Sequence, residues 1–175
     1  VTVEHYTSLS DSKLIIEAIA ENMDAKQAIF KELSTISSSE MVLASNTSSL
    51  SITGLASLCA FPQNVVGLHF FNPAPVMKLT EVIAGLATSS DTLDWAVNFS
   101  KGLGKEPVIV NEAPGFIVNR MLIPMINEAI GILAEGVATA EEIDKAMRYG
   151  ANHPIGPLAL ADLIGNDVNL SIMET

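Results

Sequence analysis

Residues 13–46 read KLIIEAIAENMDAKQAIFKELSTISSSEMVLASN, and the alternation inside this stretch decides the fold. It opens at Lys13 on a short, continuous apolar run, the pattern of a strand covered on both faces as in a parallel sheet. MDAKQAIFKELSTI follows with a helical period. Asp24 and Gln27 are spaced like a capping pair, and Ala28, Ile29, Leu33 and Ile36 fall on one side. MVLASN then supplies a second buried strand.

The pattern continues outward. SSLSITGLASL begins with serines suited to an N-cap, NVVGLHFF reads as a third strand and KLTEVIAG as a fourth, with Pro73 and Pro75 in the loop between them. SSDTLDWAVNFSKGLG is a helix closed by glycine, and EPVIVN is a fifth strand. Strands alternating with helices predict a partial doubly wound α/β sheet.

From Ala113 the texture changes, and no further strand candidate appears. PGFIVNRMLIPMINEAIGILAEG is helical and apolar almost all round, so burial on most faces is expected, with a kink at Pro124. TAEEIDKAMRYG offers Thr139 and Glu142 as a capping box and Gly150 as a stop, and PLALADLIG is a further short helix. The expected organisation is a sheet domain over residues 1–111 and an all-helical domain over residues 112–175. Too few helices remain to cover the long one, so a homodimer through the helical domain is expected.

A chain of 175 residues that is 49% hydrophobic has material for a real core, which argues against disorder. Its net charge of −11, with only nine Lys and Arg, argues against a nucleic-acid or anionic-membrane surface, because both need clustered cations. No apolar run reaches the roughly eighteen residues that span a bilayer. The single cysteine, Cys59, rules out an internal disulfide and a cysteine metal cluster and fits a reducing compartment. Cytoplasm is the simplest expectation, although a mitochondrial matrix protein stripped of its presequence would read the same way. The start, VTVEHYTSL, lacks methionine and signal-peptide features, and the end, SIMET, falls inside a helical pattern; a piece of a longer chain is therefore expected.

Polar residues in oily surroundings mark the candidate chemistry. His69 closes the third strand and Glu81 lies on the fourth, so a carboxylate can sit against the imidazole if those strands are neighbours. Such a pair is an oriented base, with one ring nitrogen held and the other available for a proton near neutral pH. A structural histidine beside an unrelated glutamate satisfies the same spacing. Asn46, Thr47 and Ser48 follow a buried strand, at the carboxyl edge where open α/β sheets bind ligands, and helix capping is the alternative for this cluster. Asn119 sits among apolar residues early in the long helix, where its amide needs a partner. His5 and His153 read as surface or structural, and Arg120 as an ion-pair or carbonyl partner.

Three segments, SNTSSLSI, GLHFFNPAPVMKLTEVI and EAPGFIVNRMLIPMINEA, resemble in order the L-3-hydroxyacyl-CoA dehydrogenase family, and most of all its short-chain bacterial 3-hydroxybutyryl-CoA dehydrogenases. The resemblance covers essentially the whole chain. It implies a Rossmann-like sheet domain, an acyl-CoA substrate, and NAD as cofactor, with NADP left open. It further implies that His69 is the general base for the 3-hydroxyl, that Glu81 orients it, and that Ser48 and Asn119 hydrogen-bond at the same site. Asn72 would shape the pocket beside the nicotinamide, Asn46 belongs to the motif at the cofactor edge, and Glu21 and Lys26 match positions lining the cofactor cleft.

One departure stands out. A dinucleotide domain opens with a glycine-rich turn, and none is present here; GLGKEP at Gly102 is a helix end. The isolated 175-residue chain is therefore expected to bind cofactor weakly and turn over negligibly. Rival readings are the dehydrogenase portion of a multifunctional β-oxidation protein and a catalytically silent relative. Retention of His69, Glu81, Ser48 and Asn119 together speaks against the silent one.

Overall fold

The strand, helix and strand of residues 13–46 form as their pattern requires. In the computed structural model, which describes residues 5–174, they are β1 (Leu14–Glu17), α1 (Met23–Ile36) and β2 (Val42–Ser45). Then come α2 (Ile52–Ala56), β3 (Val65–Phe70), β4 (Leu79–Ala84), α3 (Ser90–Gly102) and β5 (Glu106–Asn111). The five strands lie in one sheet in chain order. All neighbours are parallel except β3 and β4, which are antiparallel. The reason is length: residues 71–78 are too few for a crossover back to a parallel neighbour, which takes roughly a dozen or more.

Residue parity divides the core. Leu43, Val65 and Ile83 point to one face, where they pack with Phe30 and Leu33 of α1 and Ile52 and Leu55 of α2. Val42, Ala44, Val66, Leu68 and Val82 point to the other, against Ala96, Leu93 and Val97 of α3. Helices therefore cover both faces of the central strands β2, β3 and β4, which is why these read as largely apolar runs rather than alternating ones. Truncating a fully buried leucine in such a layer removes about 2–5 kcal/mol.

Two details of α1 differ from the sequence expectation. Its N-cap is Asn22, whose side chain accepts from Ala25 N at 2.9 Å; the Asp24–Gln27 spacing is not the cap. Of the expected face, Ile29, Leu33 and Ile36 pack on the core, but Ala28 is exposed and the most deeply buried positions are Lys26, Phe30 and Leu33. Serine capping of α2 holds: Ser51 accepts from Gly54 N at 3.0 Å.

The chain divides into two units, Val1–Phe116 and Ile117–Thr175. Glu112, where the helical domain is expected to begin, belongs to the first. Its N–H donates to Ala84 O at 3.0 Å, and its carboxylate accepts from Ser51 Oγ, Thr53 N and Thr53 Oγ1 at 2.6–2.7 Å, closing the N-terminus of α2.

The second unit holds α4 (Val118–Ala134), α5 (Ala140–Gly150), α6 (Pro157–Ile164) and α7 (Asn166–Met173). Pro124 lies within α4, which continues through it as one element. α4 buries Ile123, Ile126 and Ala129, whereas Met121 is 72% exposed, so burial on most faces is not reached among the described residues. Thr139 caps α5, accepting from Glu142 N at 3.3 Å. The Asp144 carboxylate closes α6, accepting from Leu158 N at 2.8 Å and Ala159 N at 2.9 Å. Residue 156 must be glycine for that contact, since a Cβ there would lie 2.2 Å from Asp144 Cγ. A cleft of about 400 Å³ between α4 and α5 is lined by apolar side chains, among them Met125, Ile132, Ile143 and Met147. Among the described residues no helix is long and apolar enough to cross a membrane.

Candidate active site

His69 and Glu81 occupy directly opposed positions of the antiparallel β3–β4 pair. Opposed residues project to the same face with neighbouring Cβ atoms, so strand pairing alone delivers the carboxylate to the ring. Nδ1 of His69 lies 2.8 Å from Oε2 of Glu81. Both side chains are buried, His69 at 5% and Glu81 at 0% exposure. The ring centroid of Phe71 is 4.4 Å from that of His69, and the Phe116 centroid is 5.8 Å away. In such surroundings an unpartnered ionisable group costs several kcal/mol, and the pairing removes much of that penalty for each partner. An ionised Glu81 accepts and does not donate, so beside it Nδ1 is the ring atom that carries the shared proton and Nε2 the one left to face a reacting group.

The segment after β2 is built onto the same sheet edge. Asn46 N donates to Glu17 O at 2.8 Å, and Asn46 Oδ1 accepts from Phe70 N at 2.9 Å. The amide thus fastens the turn to the residue following His69. Beyond it, Thr47 is fully buried, and its Oγ1 accepts from Leu50 N at 2.8 Å. Glu21 Oε1 accepts from Thr47 Oγ1 at 2.6 Å, Ser48 N at 2.7 Å and Ser49 N at 3.1 Å. Ser48 is half-buried on this turn. Asn72 is exposed in the loop leaving β3.

Lys26 takes an unexpected place. Its side chain is fully buried, with Nζ 2.8 and 3.0 Å from the two Glu17 oxygens and 3.5 Å from Glu21 Oε2. The structure therefore joins His69 to Glu81, Asn46 to the end of the His69 strand, and Glu21 to the Thr47–Ser49 turn, and sets Lys26 behind Glu21. Asn119 is the second residue of α4 and belongs to the second unit. Sequence reasoning passed over Glu17 and Glu112. Glu17 was legible as the one acid inside the β1 apolar run, and Glu112 as an acid directly following a strand. Among the described residues no group of three or more His, Cys, Asp or Glu is placed to hold a metal ion.

Residues 1–113 match the NAD binding domain of 3-hydroxyacyl-CoA dehydrogenase, and residues 115–175 match the C-terminal domain of the same family. The chain belongs to the 3-hydroxyacyl-CoA dehydrogenase family. It is 58% identical over 170 residues to a 3-hydroxybutyryl-CoA dehydrogenase of Clostridioides difficile, covering 97% of this chain and 60% of that protein. It is 47% identical over 161 residues to the human mitochondrial hydroxyacyl-coenzyme A dehydrogenase, covering 92% of this chain and 51% of that one. The crystal structure of (S)-3-hydroxybutyryl-CoA dehydrogenase PaaH1 from Ralstonia eutropha superposes with a TM-score of 0.93 at 51% identity, over 97% of this chain and 60% of that one. The chain spans about three fifths of the length of the first of these relatives.

Proposed function

We propose that the protein acts in the interconversion of (S)-3-hydroxyacyl-CoA and 3-ketoacyl-CoA, with 3-hydroxybutyryl-CoA as the substrate favoured by its relatives. The observation that carries this reading is the 2.8 Å His69–Glu81 contact in a water-poor setting. When bound, NAD supplies the hydride acceptor. His69 Nε2 takes the proton of the 3-hydroxyl as the bond from carbon 3 to hydrogen breaks, and returns it in the reverse direction. Glu81 holds the ring in the tautomer that makes this possible and stabilises the imidazolium formed. Proton transfer by a positioned base contributes typically about 10²- to 10⁴-fold.

Ser48 is assigned a hydrogen bond to the substrate oxygen, and Asn119 a second one on the GFIVNR motif alone. Fit to the cofactor rests on the polar carboxyl edge: the Glu21 side chain is 32% exposed and Asn72 is exposed, so both can meet ribose and carboxamide groups, with Asn46 holding the turn. Assembly as a homodimer through the helical unit is supported by the exposed apolar residues of α4, Met121, Ile130 and Leu133. A cytoplasmic setting fits the bacterial relatives.

The test is NADH oxidation by the full-length protein with acetoacetyl-CoA and a longer 3-ketoacyl-CoA, repeated with NADPH. Expected is turnover with NADH that falls by at least about 10²-fold in His69→Gln at unchanged NADH affinity. Near-normal turnover in that variant removes His69 from the role of base.

A further inference from the structure

A fully buried ammonium lies behind the serine turn. Lys26 Nζ donates to both oxygens of Glu17 and, at 3.3 Å, to Ile19 O, and it lies 3.5 Å from Glu21 Oε2. Glu17 is itself saturated: it also accepts from Ser45 Oγ and Ile19 N, each at 2.6 Å. Charges buried this deeply are retained only when their hydrogen-bonding capacity is filled, and here it is. The remaining contact of the ammonium points outward to Glu21. On the far side of that carboxylate, Oε1 gathers Thr47 Oγ1, Ser48 N, Ser49 N and, at 3.4 Å, Ser49 Oγ.

We infer that Glu21, beyond the cofactor contact proposed above, positions Ser48, with Lys26 and Glu17 fixing the carboxylate from behind. The inference rests on the dehydrogenase reading and on the place of Ser48 in it. An ammonium with no exposed surface has no reach to substrate or cofactor, so Lys26 acts through Glu21. Glu21 accepts from the Ser48 main chain, so it sets where that residue's hydroxyl stands. Side-chain acceptors that fix a backbone turn transmit small displacements directly to the reacting geometry, and a shift of about 1 Å can lower a rate about 10²-fold.

The experiment is a double-mutant cycle between Glu21→Ala and Ser48→Ala in the full-length protein, read as kcat for acetoacetyl-CoA at saturating NADH, with KM for NADH measured alongside. Expected is a kcat loss of about 10- to 100-fold from Glu21→Ala that shrinks below about threefold when Ser48 is already alanine, with partial recovery in Glu21→Asp. Lys26→Met is expected to show the same dependence on Ser48. The Glu17→Gln, Lys26→Met double variant removes both buried charges together, so it provides the readout if the single lysine change does not fold. An equal loss in both backgrounds, or a loss confined to KM for NADH, overturns the inference while leaving the dehydrogenase reading intact. An inactive wild type, or Ser48→Ala at the wild-type rate, overturns the inference together with the functional assignment beneath it.

Discussion

Gly67 lies opposite Ile83 across the antiparallel β3–β4 pair, and a Cβ on residue 67 would stand 2.8 Å from the Ile83 Cβ. No rotamer of Ile83 relieves a clash with its own Cβ, so the strands would have to separate. Gly67→Ala is expected to destabilise the protein by about 1–3 kcal/mol, the usual range for overpacking, measured by urea unfolding. His69 is two residues along the same strand, so turnover should fall as well.

Glu81→Gln tests the charge of the pair while keeping its shape. The amide oxygen can still accept from Nδ1, but it does not stabilise an imidazolium, and a flipped amide would favour the wrong tautomer. Turnover is expected to drop by about 10²-fold or more with little change in KM for the acyl-CoA, as steady-state kinetics on the full-length protein would record.

Asn46→Ala removes the acceptor for Phe70 N. The orphaned N–H is only partly buried and can be hydrated, so a loss of about 0.5–1.5 kcal/mol in unfolding free energy is expected. Asn46→Asp, which keeps an acceptor in place, should lose less. Equal stability of Asn46→Ala and wild type would show that the clamp is not needed to hold the strand end.

Cys59 packs against the Phe30–Leu33 cluster, and burial pushes its thiol up from about 9.0 to about 11. Little thiolate forms near neutral pH, so Ellman's reagent should react far more slowly with folded protein than with protein in denaturant. The folded thiol keeps its proton between the unfolded and folded values while the unfolded thiol loses it, so this contribution to stability is complete below about pH 9 and is lost as pH rises toward about 11. Cys59→Ser should flatten that decline.

The central strands β2, β3 and β4 were legible because they are buried on both faces and so read as largely apolar runs, whereas the edge strand β5 leaves Val108 and Ile109 exposed and was legible from its β-branched residues. The helix caps at Ser51 and Thr139 were legible because capping chemistry is local. Direction was not legible: apolar content within β4 carries no information about whether its neighbour runs with it or against it, and only loop length hints at the reversal. The face of α1 was legible at Ile29, Leu33 and Ile36 but not at Lys26, a core residue whose partner Glu17 comes from another element. The His69–Glu81 spacing was compatible with a pair, yet the ladder register that makes it one is a property of tertiary structure. Glu112 was missed for the same reason, since its partners Ser51 and Thr53 lie about sixty positions earlier in the chain.

The ladder between β3 and β4 locks residue 69 to residue 81 by main-chain hydrogen bonds, so the connection from 71 to 78 carries no responsibility for their alignment. What that connection does supply is Phe71, whose ring centroid lies 4.4 Å from that of His69, and the exposed Asn72. A single-residue insertion within either strand would turn the glutamate to the opposite side of the sheet and abolish the pair outright.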